Sequence, residues 1–130
     1  MRKDEVARGP SGRVIVIDSI TQLAPEDAGA VIVSGSHGGV SSGSVAAECR
    51  LKLVFFNDAG VGKDSAGVAA LAMLQARGLA AATVAHSSAR IGDALDAWQH
   101  GVVSHANESA AALGVRVGDR VETAAERLLR

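Results

Sequence analysis

The sequence contains no tyrosine, one tryptophan and two phenylalanines, so aromatic residues make up 2% of its 130 positions. Single-stranded nucleic-acid binding stacks bases on aromatic side chains beside a basic groove, and neither component is supplied here. Lysine and arginine number 13 against 14 aspartates and glutamates, a net charge of -1, which leaves no excess of positive charge for a phosphate backbone. A single cysteine, Cys49, excludes an intrachain disulfide, and a reducing cytoplasm is the compartment expected of such a chain. Long apolar runs are missing too. They are broken by Gly, Gln, Arg or Ser well before the roughly 18 residues a membrane helix needs, and the run behind the mixed-charge opening is too short for a signal peptide. Neither a nucleic acid nor a membrane is expected as a partner.

What remains is aliphatic and small. The chain is 48% hydrophobic and 21% charged, with 15 glycines and a mean hydropathy of +0.21. That is enough apolar surface to offset the entropy of ordering, and the length suits one domain. Residues 1–12, which end in Gly-Pro-Ser-Gly, are expected to form a flexible N-terminal arm, and residues 13–130 a single α/β domain.

Val14-Ile15-Val16-Ile17 and Ala30-Val31-Ile32-Val33 are β-branched runs of the kind found in strands buried on both faces. Leu51 to Phe56 and Ala80 to Ala85 are read as further strands. Helices are expected around Pro25, from Ser44 to Arg50, and from Asp64 or Ser65 to Arg77 before Gly78. Three more follow: Asp93 to His100, Val103 to Leu113, and Arg120 to Leu129, where Val121, Ala124, Ala125, Leu128 and Leu129 make an apolar stripe. This alternation predicts an open, mostly parallel, Rossmann-like sheet with helices on both faces. The segment 65–77, SAGVAALAMLQAR, carries no charge before Arg77, and a helix so free of charge is expected to pack against a second copy in a homo-oligomer.

Ligands of such sheets bind beyond the carboxyl ends of the strands. The loops leaving Val33, Phe56 and Ala85 read SGSHGG, NDAGVGKD and HSSARIGD, and all three are expected at one edge. Polar residues gather in any such loops as turn formers and caps, but a turn needs neither His37 between a serine and a glycine nor His86 at a strand end. The candidate catalytic residues are therefore His37, Asp58 and His86. A carboxylate beside an imidazole fixes its tautomer and raises its proton affinity, so Asp58 with either histidine prepares proton transfer near neutral pH. Substrate-binding candidates are Ser36, Gly38, Gly39, Asn57, Gly60, Gly62, Lys63, Ser88 and Arg90. Arg90 suits a carboxylate, Lys63 an oxyanion, and the backbone at Gly60 and Gly62 a carboxylate or single phosphate.

Several motifs are tempting. VGKDS resembles a P-loop, but Asn57 stands where the first glycine belongs and Asp64 follows Lys63, an acid where a nucleotide triphosphate needs a hydroxyl. Ser36-His37-Gly38 behind a strand resembles the caspase-like cysteine peptidases, in which a nucleophilic cysteine follows the next strand. Here that strand ends Asn57-Asp58-Ala59, the nucleophile is missing, and the family's activity is not carried over. No G-x-S-x-G elbow occurs. A divalent ion held by His37, Asp58 and His86 is an alternative without support from sequence spacing; otherwise no cofactor is expected. The reading is a small cytoplasmic lyase, isomerase or hydrolase acting by acid-base chemistry on a compact anionic metabolite. Its rival is a non-catalytic anion-binding or oligomeric assembly subunit of the same fold.

Overall fold

A computed structural model describes all residues, Met1–Arg130. One six-stranded sheet holds β1 (Lys3–Gly9), β2 (Gly12–Ile17), β3 (Val31–His37), β4 (Leu53–Asn57), β5 (Ala81–Val84) and β6 (Val103–Ala106), side by side in chain order. Strands β2 to β5 are parallel, and β1 and β6 are antiparallel edges. The α-helices are α1 (Val40–Ala47), α2 (Ala69–Gln75), α3 (Ala94–His100), α4 (Glu108–Ala112) and α5 (Val121–Arg127). None is long and apolar enough to cross a membrane.

The β-branched runs are buried on both faces because the sheet is covered on both. Alternate residues Ile15, Ile17, Ile32, Val54 and Phe56 share a core with Ala46 of α1 and Leu71 and Leu74 of α2. The intervening Val14, Val16, Val31, Val33, Leu53 and Phe55 pack against Ala94, Ala97 and Trp98 of α3 and Val121, Ala124 and Ala125 of α5. Right-handed crossovers between parallel strands taken in chain order all pass over one face, which puts α1 and α2 together. The other face is left to the helices after β5. To reach it, the chain runs from β5 back across the carboxyl ends of β4 and β3, and α3 packs on β2 and β3.

Two regions differ from the sequence reading. Residues 1–12 are not a free arm: Lys3 to Gly9 pair with β2 through a tight turn at Pro10 and Ser11. Their alternating charges suit an edge, where charged side chains discourage pairing with another molecule. Lys3 Nζ reaches the buried Asp27 carboxylate at 2.9 Å, and Arg8 pairs with Glu5 at 2.6 Å. Residues 103–106 are a strand rather than the start of a helix, because pairing with β5 outweighs local propensity. Asn107 then ends β6: its side chain caps α4 by accepting from Ala110 N at 2.9 Å and donates to the carbonyls of Leu71 and Leu79.

Smaller shifts follow the same logic. β3 continues to His37, α1 begins at Val40 rather than Ser44, and residues 63–68 form a 3-10 segment before α2. The uncharged α2 is flanked within the monomer: Gly43 of α1 lies against Ala70 and Met73, and Gln75 Oε1 accepts from Ser109 N at 2.8 Å. Its outward strip is Ala72 and Ala76.

Asp18, just past β2, ties two segments to the sheet. Its carboxylate accepts from Arg2 N at 2.8 Å and Ala94 N at 3.0 Å. Burial pushes this carboxyl up, but those backbone donors and the nearby positive charges outweigh it and hold it below its ordinary value. Asp18→Ala should lower the unfolding free energy by about 1–3 kcal/mol in urea titrations at pH 7. Because the folded carboxyl is depressed, its contribution is present above about pH 4 and lost as pH falls through the folded value, so wild type and variant should converge in acid.

Candidate functional site

The strand order shows no reversal within the parallel part of the sheet, so there is no crevice at a switch in strand order. The carboxyl edge is instead crossed by the strap 86–93. Asn57 Nδ2 donates to Ala89 O at 3.0 Å, and Gly92 N donates to Gly35 O at 2.7 Å. The strap lies so close that a Cβ on Gly35 would stand 2.7 Å from the Gly92 carbonyl carbon and 2.8 Å from Asp93 N. The three expected loops do leave one edge, but the strap and the 59–62 loop divide it.

Asp58 follows β4, its backbone N–H bonded to Val84 O at 2.9 Å, and its side chain is 6% exposed. A single oxygen, Oδ1, accepts from Gly60 N at 2.8 Å, His86 N at 3.1 Å and His86 Nδ1 at 3.2 Å. Burial raises the Asp58 carboxyl. The N–H of Gly60, the Ser104 hydroxyl and both groups of His86 outweigh that and hold it below the ordinary range. An ionised carboxylate only accepts, so His86 Nδ1 carries a proton, and in the neutral ring the lone pair is on Nε2. The imidazole is 60% exposed, which leaves Nε2 free to meet a ligand. This is the pairing the sequence left open between His37 and His86.

His86 forms one wall of a polar recess of about 270 Å³ shared with Ser87, Arg90, Asp96 and His100. Asp96 accepts from Arg90 N at 2.9 Å and meets His100 Nδ1 at 3.0 Å; the Arg90 backbone N–H, then the His100 side chain, lower its carboxyl against an opposing effect of burial. The Arg90 guanidinium is 82% exposed and 3.8 Å from Asp96, a loose pairing that leaves its fork available.

The other candidates are placed elsewhere or already engaged. His37 Nδ1 accepts from Gly39 N at 3.0 Å, and its ring lies in a separate open cavity of about 510 Å³. The 59–62 loop stands between the histidines: Ala59, Val61 and Gly62 line the His37 cavity, while a Cβ on Gly60 would lie 3.7 Å from the His86 ring. Ser36 Oγ accepts from Ile20 N, Ser88 Oγ donates to Ala85 O and accepts from Val102 N, and Gly38 joins Asn57 to α2 through its own N–H and carbonyl. Asn57 is likewise committed, to Ala89 and to Ala59 N. Lys63 is exposed on the 3-10 segment.

The expected anion cradle at Gly60 and Gly62 lacks donors. Gly60 N is bound to the Asp58 carboxylate and Gly62 N to Gly60 O, and Ala59 N and Val61 N are engaged on Asn57 and Asp58. A buried negative charge already occupies the place an anion would take. Nor are His37, Asp58 and His86 gathered for a metal ion, since no group of three or more His, Cys, Asp and Glu side chains is so arranged.

Sequence reasoning missed the polar groups on β6. Thr83 Oγ1 lies 2.9 Å from Ser104 Oγ and 3.1 Å from His105 Nδ1, and the ladder skips a residue here, with Thr83 opposite His105 and Val84 opposite Val103. Such a bulge re-aims the extra side chain, Ser104, whose hydroxyl adds to the field around Asp58. The available signal was Val102-Val103 between Gly101 and Asn107, a short strand pattern bounded by turn formers. No protein-family model, no curated protein and no solved structure matches this chain.

Proposed function

We propose that the chain is a small acid-base enzyme, a lyase, isomerase or hydrolase, for a compact anionic molecule bound in the recess beside His86. The observation that carries this reading is the Asp58–His86 pair: a buried, ionised carboxylate orients an exposed imidazole so that its free nitrogen opens toward solvent. His86 Nε2 takes the proton, Asp58 stabilises the imidazolium that results, and Arg90 holds the anionic group with its planar fork. The Arg90 guanidinium, 82% exposed on the lining of this recess, supplies the positive charge that an anionic group would meet. The lone Cys49 thiol, pushed up by burial and then by Asp27, is a poor nucleophile and takes no part in this chemistry.

The test is proton exchange. In D2O, a panel of short 2-oxo, malonic and hydroxy acids is followed by NMR for deuterium entering the α-carbon. At least one member should exchange with the wild type, His86→Ala should slow that exchange by about 10²–10⁴-fold, and Arg90→Leu should raise the concentration needed for half-saturation. Exchange equally fast in His86→Ala would sink the assignment. Binding without any exchange would remove the lyase and isomerase readings, and binding with neither exchange nor hydrolysis of the matching esters would identify a non-catalytic anion-binding or assembly subunit.

A further inference from the structure

The larger cavity, on the far side of the 59–62 loop from His86, takes no part in that reading. It opens between β3, the start of α1 and the 3-10 segment, with a volume of about 510 Å³, within the range of small-molecule sites. No Asp, Glu, Lys or Arg lines it. Its walls are small and apolar, with Ala59 and Val61 on one side and Ala66 and Ala69 on another.

The 59–62 wall offers a ligand hydrocarbon and no donors, because the N–H groups of residues 59 to 62 are all bonded inside the loop. The wall is also preset. Ala59 and Val61 hold left-handed backbone angles, φ 52° and 68°, which a β-branched residue rarely adopts, and the internal bonds keep them there. One side chain on the lining carries an oriented polar group. His37 receives the Gly39 N–H on Nδ1, so the neutral ring bears its proton on Nε2 and is a hydrogen-bond donor there. The two histidines thus have opposite tautomers: His86 presents a lone pair, His37 a proton.

We propose that this cavity is a second binding site, for an uncharged, compact, mostly apolar molecule with one carbonyl-type acceptor, the acceptor meeting His37 Nε2–H and the hydrocarbon lying on Ala59, Val61, Ala66 and Ala69. A charged ligand would lose hydration with no opposite side-chain charge on the lining to replace it.

The experiment is an NMR titration of the 15N-labelled full chain with three probes, cyclohexanone, cyclohexanecarboxylate and inorganic phosphate. Cyclohexanone should give saturable shifts confined to residues 37–41 and 59–69, and cyclohexanecarboxylate should bind at least tenfold more weakly. Filling the cavity with Ala69→Leu should abolish the ketone shifts, and His37→Phe should weaken ketone binding at least fivefold. The wild-type ratio of ketone to carboxylate affinity keeps the test decisive if either variant fails to fold. The proposal is overturned by the absence of saturable ketone shifts, by their clustering around His86, or by carboxylate or phosphate binding in the cavity as well as the ketone does.

Discussion

Gly67→Ala should lower the unfolding free energy by about 3 kcal/mol or more and detach the 58–62 loop from the sheet. A Cβ at this position would overlap the Asp58 carbonyl oxygen and stand 3.0 Å from the Val61 carbonyl oxygen. Both obstacles are backbone, so no side-chain rotation relieves them, and overpacking of this kind costs about 1–3 kcal/mol even where neighbours can yield. Gly67 N also donates to Val61 O at 2.7 Å, a bond that would be lost as the segments separate. Gly29→Ala is the matched comparison. Gly29 holds φ +83° with nothing within 4 Å of an added Cβ, so it should cost only the left-handed backbone penalty, about 1–2 kcal/mol. Urea titration of both variants checks the difference, and equal losses would show that the loop does not bear on Gly67. In Gly67→Ala the backbone signals of residues 58–62 and 86 should shift together, because the loop carries the carboxylate end of the Asp58–His86 pair.

The second large effect separates structure from chemistry at Asp58. Asp58→Ala strips the partner from Gly60 N, His86 N and His86 Nδ1 at a residue 4% exposed, and should cost roughly 2–5 kcal/mol. Asp58→Asn keeps an acceptor oxygen for the two backbone N–H groups, so it should fold with a loss of about 1 kcal/mol. It no longer stabilises an imidazolium, and proton exchange by His86 should fall by about 10²–10⁴-fold all the same. The pH dependence carries a sign. The Asp58 carboxyl is held below its ordinary value in the folded protein, so its stabilisation is present above about pH 4 and is lost as pH falls through the folded value. Wild-type stability should therefore drop in that acid window, and the Asp58→Asn curve should be flatter there. If the two curves coincide, the Asp58 carboxylate is not what holds His86.

The four central strands were legible because their signal is local. Val14 to Ile17, Val31 to Val33 and Leu53 to Phe56 are apolar whichever way they face, Ala81 to Val84 departs from this only at the buried Thr83, and segments with so little polar surface to turn to water are buried between layers. The same runs determined that SGSHGG, NDAGVGKD and HSSARIGD leave one edge of a parallel sheet, and so where candidate chemistry would lie. The edge strands were not legible. Lys3 to Gly9 and Val103 to Ala106 become strands through their hydrogen bonds to β2 and β5, not through an apolar run of their own. The division of the site was also decided by tertiary structure. Nothing in the sequence around Ala59 and Val61 announces left-handed backbone; those angles arise where the loop is pinned by Asn57, Asp58 and Gly67, and they put a wall between His37 and His86. Residue types at the strand ends put two imidazoles and a carboxylate among the loops of this edge. Which imidazole reaches Asp58 depends on the strap from β5 to α3, whose course is set by the need to cover the second face of the sheet.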